Sequence, residues 1–148
     1  MSDRMSPEAL ARACADAMWA EDAASQGLGM ELEFVAPGEA KMAMTVRPDM
    51  VNGHGIMHGG FIFTLADSAF AFACNTYGEK VVAQHCSITF LQPGRLGDRL
   101  TAHAVERSRS GRSGIYDIRV TNASGEIIAE FRGHSRAIGG RLVEESAR

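Results

Sequence analysis

Residues Asn52 to Gly78 read NGHGIMHGGFIFTLADSAFAFACNTYG. A loop rich in glycine and histidine runs into a Gly-Gly pair, and from Phe61 to Asn75 the residues are apolar or small apart from one carboxylate, Asp67. A helix that is apolar on every face is expected to be buried on every face. An aspartate inside it is costly unless it is hydrogen-bonded, paired or used. The rest of the chain is therefore read for what surrounds Asp67.

The flanking segments suggest the fold class. Upstream, Ser6 can cap a helix with Pro7 at its first position and Glu8 in its first turn. Leu10, Cys14, Met18 and Trp19 follow helical spacing, and the helix is expected to run to Gly27. It either packs over the domain or forms a lid near a ligand. Leu28–Val35 and Ala40–Val46 alternate around a Pro37-Gly38 turn and read as a β-hairpin. Arg47–His58 reads as a loop, and Tyr77-Gly78 stops the central helix. Four strands are expected downstream, at Lys80–Leu91, Arg99–Ser108, Ile115–Asn122 and Ile127–Ile138. Short turns between them, at Gln92-Pro93-Gly94, Gly111–Gly114 and Ser124-Gly125, favour antiparallel pairing of successive strands. Residues 139–148 are polar and expected to fray. The class is α+β: one domain over residues 1–148, with a curved antiparallel sheet wrapped around the long helix and an extra N-terminal helix. The helix stays apolar on its face away from the sheet, which points to oligomerisation.

Composition narrows the function. At 148 residues, 45% hydrophobic and 22% charged, the chain is a globular domain with an ordinary core. A formal net charge of −3 gives no electrostatic case for nucleic acid or an anionic membrane as partner. The N-terminus carries charges where a signal peptide needs an apolar run, and Phe61–Cys74 is too short, and too charged at Asp67, to span a bilayer. Cys14, Cys74 and Cys86 form no metal or disulfide pattern, which fits a reducing cytoplasm; Cys74 and Cys86 read as core residues.

The chemistry follows from reach. Gly59 and Gly60 stand where a helix start leaves N–H groups unpaired, a natural oxyanion hole that a substrate carbonyl can approach closely. Asp67, eight residues beyond Gly59, lies about 12 Å further along the axis. One carbonyl cannot touch both on one rigid helix. Two helices packed antiparallel across a two-fold can supply both, Gly59 from one subunit and Asp67 from the other. A homodimer with composite sites is the expectation, with Ala66, Ser68, Ala69, Ala71 and Ala73 allowing close approach. Asp67 would act as general base on water or as nucleophile forming an anhydride; otherwise it serves only to hydrogen-bond neighbouring backbone or cap a partner helix. Burial would raise its pKa and the partner's helix start would lower it, the second effect being expected to keep it ionised. Asn52 could hold the water or the carbonyl, and His58 could fix the loop or polarise the reacting carbonyl; each could instead merely brace the loop. His54 and His58 share no helix face and no carboxylate, so no zinc site is expected. Asp67 and Ser68 point differently from one helix, which argues against a Ser–His–Asp triad; Ser68 could position water.

Val51-Asn52-Gly53-His54, His58-Gly59-Gly60 and Leu65-Ala66-Asp67-Ser68-Ala69, with Phe90–Gly94, Gly97-Asp98, Tyr116-Asp117 and Phe131-Arg132-Gly133, resemble the hotdog-fold acyl-CoA thioesterases. The narrower likeness is to phenylacetic acid degradation thioesterases of the PaaI type, over nearly the whole chain. The resemblance implies a hotdog fold, a homotetramer of two dimers, and a substrate that carries coenzyme A, with no metal or redox cofactor. It places the oxyanion donor on Gly59, the base or nucleophile on Asp67, and the loop residues on Asn52 and His58. A serine, Ser68, stands where the family often has threonine. Coenzyme A phosphates need a basic rim. Arg107, Arg109 and Arg112 are candidates, with a solvated turn as the alternative; Arg132, His134 and Arg136 form a second set. The acyl group is expected near Gly60, Phe61, Leu65 and side chains of the partner. Hydrolysis of an aryl- or acyl-CoA such as (hydroxy)phenylacetyl-CoA is the expected reaction. The alternatives are a non-catalytic acyl-CoA sensor and a hotdog hydratase or dehydratase. The sensor usually carries a DNA-binding extension that the first helix is too short to provide. The hydratase wants an acid–base pair at the acyl α and β carbons.

Overall fold

The computed structural model describes residues 4–144. Ser6 caps helix α1 (Pro7–Glu21), its hydroxyl accepting the Ala9 N–H at 3.1 Å. The single N-terminal helix expected to reach Gly27 is in fact two. Asp22 leaves the helical conformation (φ −91°, ψ 78°), returns its own N–H to the Trp19 carbonyl, and caps a second helix, α2 (Ala23–Gly27), through its carboxylate. One residue thus ends one helix and starts the next, because its short acceptor competes with the backbone for the orphan N–H groups.

Strands β1 (Glu31–Ala36) and β2 (Glu39–Thr45) form the hairpin expected around Pro37-Gly38, β1 starting three residues later than Leu28. Gly38 takes φ +73°, and its N–H goes to Thr76 Oγ1 at 2.8 Å, which ties the turn to the far end of the central helix. The loop expected at Arg47–His58 contains a short 3-10 turn, Pro48–Met50, and an isolated bridge from Val51 to Met57. The central helix α3 (Gly59–Cys74) follows, then β3 (Glu79–Phe90), β4 (Arg99–Ser110), β5 (Ser113–Thr121) and β6 (Ile127–Arg141).

The sheet has the order β1-β2-β4-β5-β6-β3, antiparallel throughout. The expected pairing of successive strands holds for β4-β5 and β5-β6 but not for β3-β4. The turn at Gln92–Gly94 does not fold β3 back on its successor. It carries the chain across the end of the fold, pinned by the Leu91 and Gln92 N–H groups on the Ile128 carbonyl and by the Met57 N–H on the Gly94 carbonyl. β3 instead pairs with β6 and forms a sheet edge. The fraying expected from residue 139 is also corrected: β6 continues to Arg141, which pairs with Glu79, and the Leu142 N–H reaches the Gly78 carbonyl. Residues 145–148 of that tail lie outside the described residues.

α3 lies in the sheet's curve. Ile62, Leu65, Ala66, Ala69, Phe70 and Ala73 are buried against the strands. Burying Leu65 fully contributes on the order of 2 kcal/mol. Phe70 packs on Tyr116 and Phe131 with centroids 5.6 and 6.1 Å away. Gly133 of β6 makes that packing possible, since a Cβ there would stand 2.6 Å from the Phe70 ring. The helix is not buried all round, as its composition led one to expect. Phe61, Thr64, Asp67, Ser68 and Ala71 remain half-exposed on the face away from the sheet. Ala66, Ala69 and Ala73 face the core, so of the five small residues expected to admit a second helix only Ser68 and Ala71 lie outward.

Candidate active site

The start of α3 is built by His58. Its ring Nδ1 accepts the Gly60 N–H at 2.9 Å, and its carbonyl accepts the Phe61 N–H at 3.0 Å. An accepting Nδ1 leaves the neutral ring's proton on Nε2 of this exposed histidine. Glycine at position 60 leaves room for this cap: a Cβ there would meet Nδ1 at 3.1 Å. Gly60's N–H and carbonyl are both committed within the protein, the carbonyl to Thr64 Oγ1 at 2.8 Å. The Gly59 N–H, in contrast, meets no acceptor among the described residues. It stands at the positive end of the helix dipole with the half-exposed ring of Phe90 close by.

Asn52 supports the loop before this turn. Its Oδ1 accepts from the His54 N–H at 2.9 Å, and its own N–H and the Ile56 carbonyl close the loop at 2.8 Å. The oxygen is therefore spent on bracing, and the side-chain amide N–H groups are the donors left to meet a ligand.

Asp67 sits two turns along α3, half-buried, and its carboxylate accepts no hydrogen bond among the described residues. Burial raises its pKa above the ordinary carboxylate value. Its charge is felt on the β3 side: burial first, then Asp67, pushes up the Cys86 thiol, and burial also takes Cys74 up to about 12, with Asp67 adding to the rise. Both thiols are thus held protonated and are poor nucleophiles.

Ser68, the next residue, reaches α2. Its Oγ is 2.9 Å from the Oγ of Ser25, which is buried and also bonds Asp22 Oδ2 at 2.7 Å. The Asp22-Ala-Ala-Ser25 cap is legible as a local pattern; its contact with Ser68, forty-three positions on, is not.

The other candidates are scattered. Phe61 is half-exposed beside His58 with ring centroids 6.2 Å apart. Leu65 is fully buried against the sheet, so it lines no open surface of this chain. Arg107 bonds Asp117 at 3.0 Å on the outer sheet face, where Arg132 grips the same carboxylate at 2.7 and 2.8 Å. Arg109 lies over the Tyr77 ring at 3.7 Å and 3.5 Å from Glu106. Only Arg112 of the three is exposed at the hairpin tip without such an anchor among the described residues. Arg136 is also exposed, and His134 stacks edge-on with His85 at 5.5 Å. Among the described residues no three His, Cys, Asp or Glu side chains gather as a metal site. Among the described residues no helix is long and apolar enough to cross a membrane.

Comparison with known proteins bears on this geometry. Residues 54–129 match the family model described as thioesterase superfamily. The chain is 45% identical over 132 residues to the acyl-coenzyme A thioesterase PaaI of Escherichia coli strain K12, covering 89% of this chain and 94% of that one. The structure of the E. coli PaaI protein, from the phenylacetic acid degradation operon, superposes with a TM-score of 0.90 at 44% identity, over 92% of this chain and 99% of that one. A hypothetical thioesterase of Streptococcus pneumoniae, solved with coenzyme A, has a TM-score of 0.73 at 26% identity, over 76% and 90%. The chain thus belongs to the thioesterase superfamily, as a hotdog-fold domain with an added pair of N-terminal helices.

Proposed function

We propose that the protein hydrolyses (hydroxy)phenylacetyl-CoA or a related aryl- or acyl-CoA to the acid and free coenzyme A, in aromatic catabolism. The observation that carries this reading is a pair of unspent groups on one helix: the Gly59 N–H, with no acceptor, and the half-buried Asp67 carboxylate, with no donor, among the described residues. The first suits the oxygen of a thioester carbonyl as it gains charge. The second suits activation of water or direct attack. The 45% identical E. coli relative is named for acyl-CoA hydrolysis, and the S. pneumoniae neighbour holds coenzyme A.

The two groups are too far apart along α3 to serve one carbonyl, so the site is read as composite, with Gly59 and Asp67 from different subunits of a homodimer. Two features support this. Apart from Ser68, which meets α2, the half-exposed stripe of α3 (Phe61, Thr64, Asp67 and Ala71) has no covering layer among the described residues. Strand β3 is an open sheet edge carrying exposed Val82 and Phe90, with exposed Leu91 just beyond its end, an arrangement that invites strand pairing. Two such dimers would make the homotetramer. Asn52 would hold water or the carbonyl, and His58 would shape the turn that aims Gly59. Gly60 serves through that turn, and Phe61 would border the acyl group. Arg112 is the basic residue best placed to meet coenzyme A phosphates, with Arg107 and Arg109 held back by their carboxylates. No metal or cofactor enters the reading, and the protein is assigned to the cytoplasm, where Cys74 and Cys86 remain thiols.

The test is turnover of phenylacetyl-CoA, hydroxylated benzoyl-CoAs and fatty acyl-CoAs, followed with a thiol reagent, for wild type and Asp67→Ala. Loss of kcat by about 10²-fold or more is expected; undiminished hydrolysis by the variant would remove the assignment. Mixing Asp67→Ala subunits with subunits altered at Gly59 should recover partial activity, and heterodimers without recovery would exclude the composite site.

A further inference from the structure

The contact between α2 and α3 has a direction that hydrogen-bond chemistry determines. Ionised Asp22 can only accept. It takes the Ser25 N–H on Oδ1 at 2.9 Å and the Ser25 hydroxyl on Oδ2 at 2.7 Å. Ser25 has one hydroxyl proton, and Asp22 holds it. The 2.9 Å contact between Ser25 and Ser68 must then use the proton of Ser68. The chain of donors runs from Ser68 to Ser25 to Asp22. Ser25 is almost wholly buried, so water cannot substitute along it. Ser68 is half-exposed, and what its Oγ can still offer is a lone pair.

We propose that Asp22 and Ser25 are positioning residues: they keep Ser68 an acceptor, and Ser68 uses that lone pair to hold the attacking water beside Asp67. This rests on the hydrolase reading above and deepens it. Asp67 and Ser68 are adjacent on α3, and a water between them can donate one proton to the carboxylate and the other to Ser68 Oγ. Its own lone pair is then free for the thioester carbon. Were Ser68 to donate instead, it would occupy one of the water's two lone pairs and leave the water's second proton without this acceptor, which turns the remaining lone pair away from the thioester carbon. The N-terminal helices thereby act on the chemistry through the polarity of one hydroxyl, in addition to covering α3 where Trp19 meets Phe72 at 6.4 Å.

Asp22→Asn tests this without removing the cap, since asparagine caps helices about as well as aspartate. Its amide oxygen keeps the Ser25 N–H while its NH₂ now donates to Ser25 Oγ. The Ser25 proton turns to Ser68, and the Ser68 proton turns outward. The expected result is a kcat at least roughly tenfold lower, as for a misplaced reactant, with KM and melting temperature near wild type. In a Ser68→Ala background the same change should have no further effect on kcat, because the hydroxyl it reverses is gone. Ser6→Ala, which uncaps α1 instead, should keep the wild-type kcat. If Asp22→Asn does not fold, Ser25→Ala breaks the same chain and carries the same expectation. Wild-type kcat in Asp22→Asn, or an equal loss in the Ser68→Ala background, overturns the inference and leaves the hydrolase reading standing. Absence of thioester hydrolysis by the wild type overturns both.

Discussion

The ring of Phe90 occupies the place beside Gly59 where a side chain would begin: a Cβ on Gly59 would stand 2.9 Å from Phe90 Cζ. The edge strand and the helix start are thus fitted to each other with only a hydrogen between them. Gly59→Ala improves helix propensity but pushes a methyl into this gap. We expect turnover to fall by 10²-fold or more, as for loss of an oxyanion donor, with little change in melting temperature because half-exposed Phe90 can swing aside. Adding Phe90→Ala should not restore kcat, since the methyl also blocks the carbonyl's approach. Recovery in the double variant would show that only the displaced ring mattered.

Asp67 should leave its mark on the pH profile. Its pKa is raised by burial, and the proposed role requires the ionised form. Activity is therefore absent at low pH and appears as pH rises through the folded pKa. The acid limb of kcat/KM should lie above the ordinary aspartate value of about 3.9. A profile flat down to that value would mean that burial does not control the Asp67 carboxylate in the assembled site, the partner's helix start outweighing it.

The cap formed by His58 and Gly60 predicts a coupled pair of stability effects. His58→Ala removes the Nδ1 acceptor and should cost about 1 kcal/mol in urea denaturation, as for other lost caps. Gly60→Ala places a Cβ 3.1 Å from that nitrogen and should disturb the same bond. The double variant should lose clearly less than the sum of the two. Additive losses would mean that the bond contributes little in solution.

On the outer sheet face, Asp117 is held below the usual aspartate range, chiefly by its hydrogen bonds to Arg132, against an upward pull from burial, with Arg107 adding to the lowering. A lowered folded pKa gives stability that is present above the unfolded value and is lost as pH falls through the folded one. Asp117→Asn should therefore lower the melting temperature near pH 7, and the gap to wild type should close below roughly pH 3.9. A gap that persists at pH 2 would assign the effect to packing rather than charge.

Much of this was legible in order along the chain. The α3 segment stood out because no globular surface needs so long an apolar run, and Asp67 stood out because nothing in that run could solvate it. Gly38 and the Ser6-Pro7 start were readable because turns and caps are local: the residues that make them are the residues that need them. The hairpin β1-β2 and the strands β4 to β6 followed from alternation between turn signals.

What lay beyond the sequence was set by contacts between distant positions. Asp22 ends a helix whose apolar spacing would have continued, because a carboxylate can satisfy the next turn's N–H groups. β3 leaves its sequence neighbour and pairs with β6, because the curve around α3 fills the place beside β4 with β2. Arg107, read with Arg109 as a basic rim, is drawn to Asp117 by the pairing of β4 with β5, and Arg109 turns back to Glu106 on its own strand and onto the Tyr77 ring. Gly60, read with Gly59 as an open donor, spends its N–H on His58. Side-chain type and local period determined which elements form and where a costly carboxylate lies. Packing alone decided which polar groups are consumed within the fold and which, at Gly59 and Asp67, are left without a partner among the described residues.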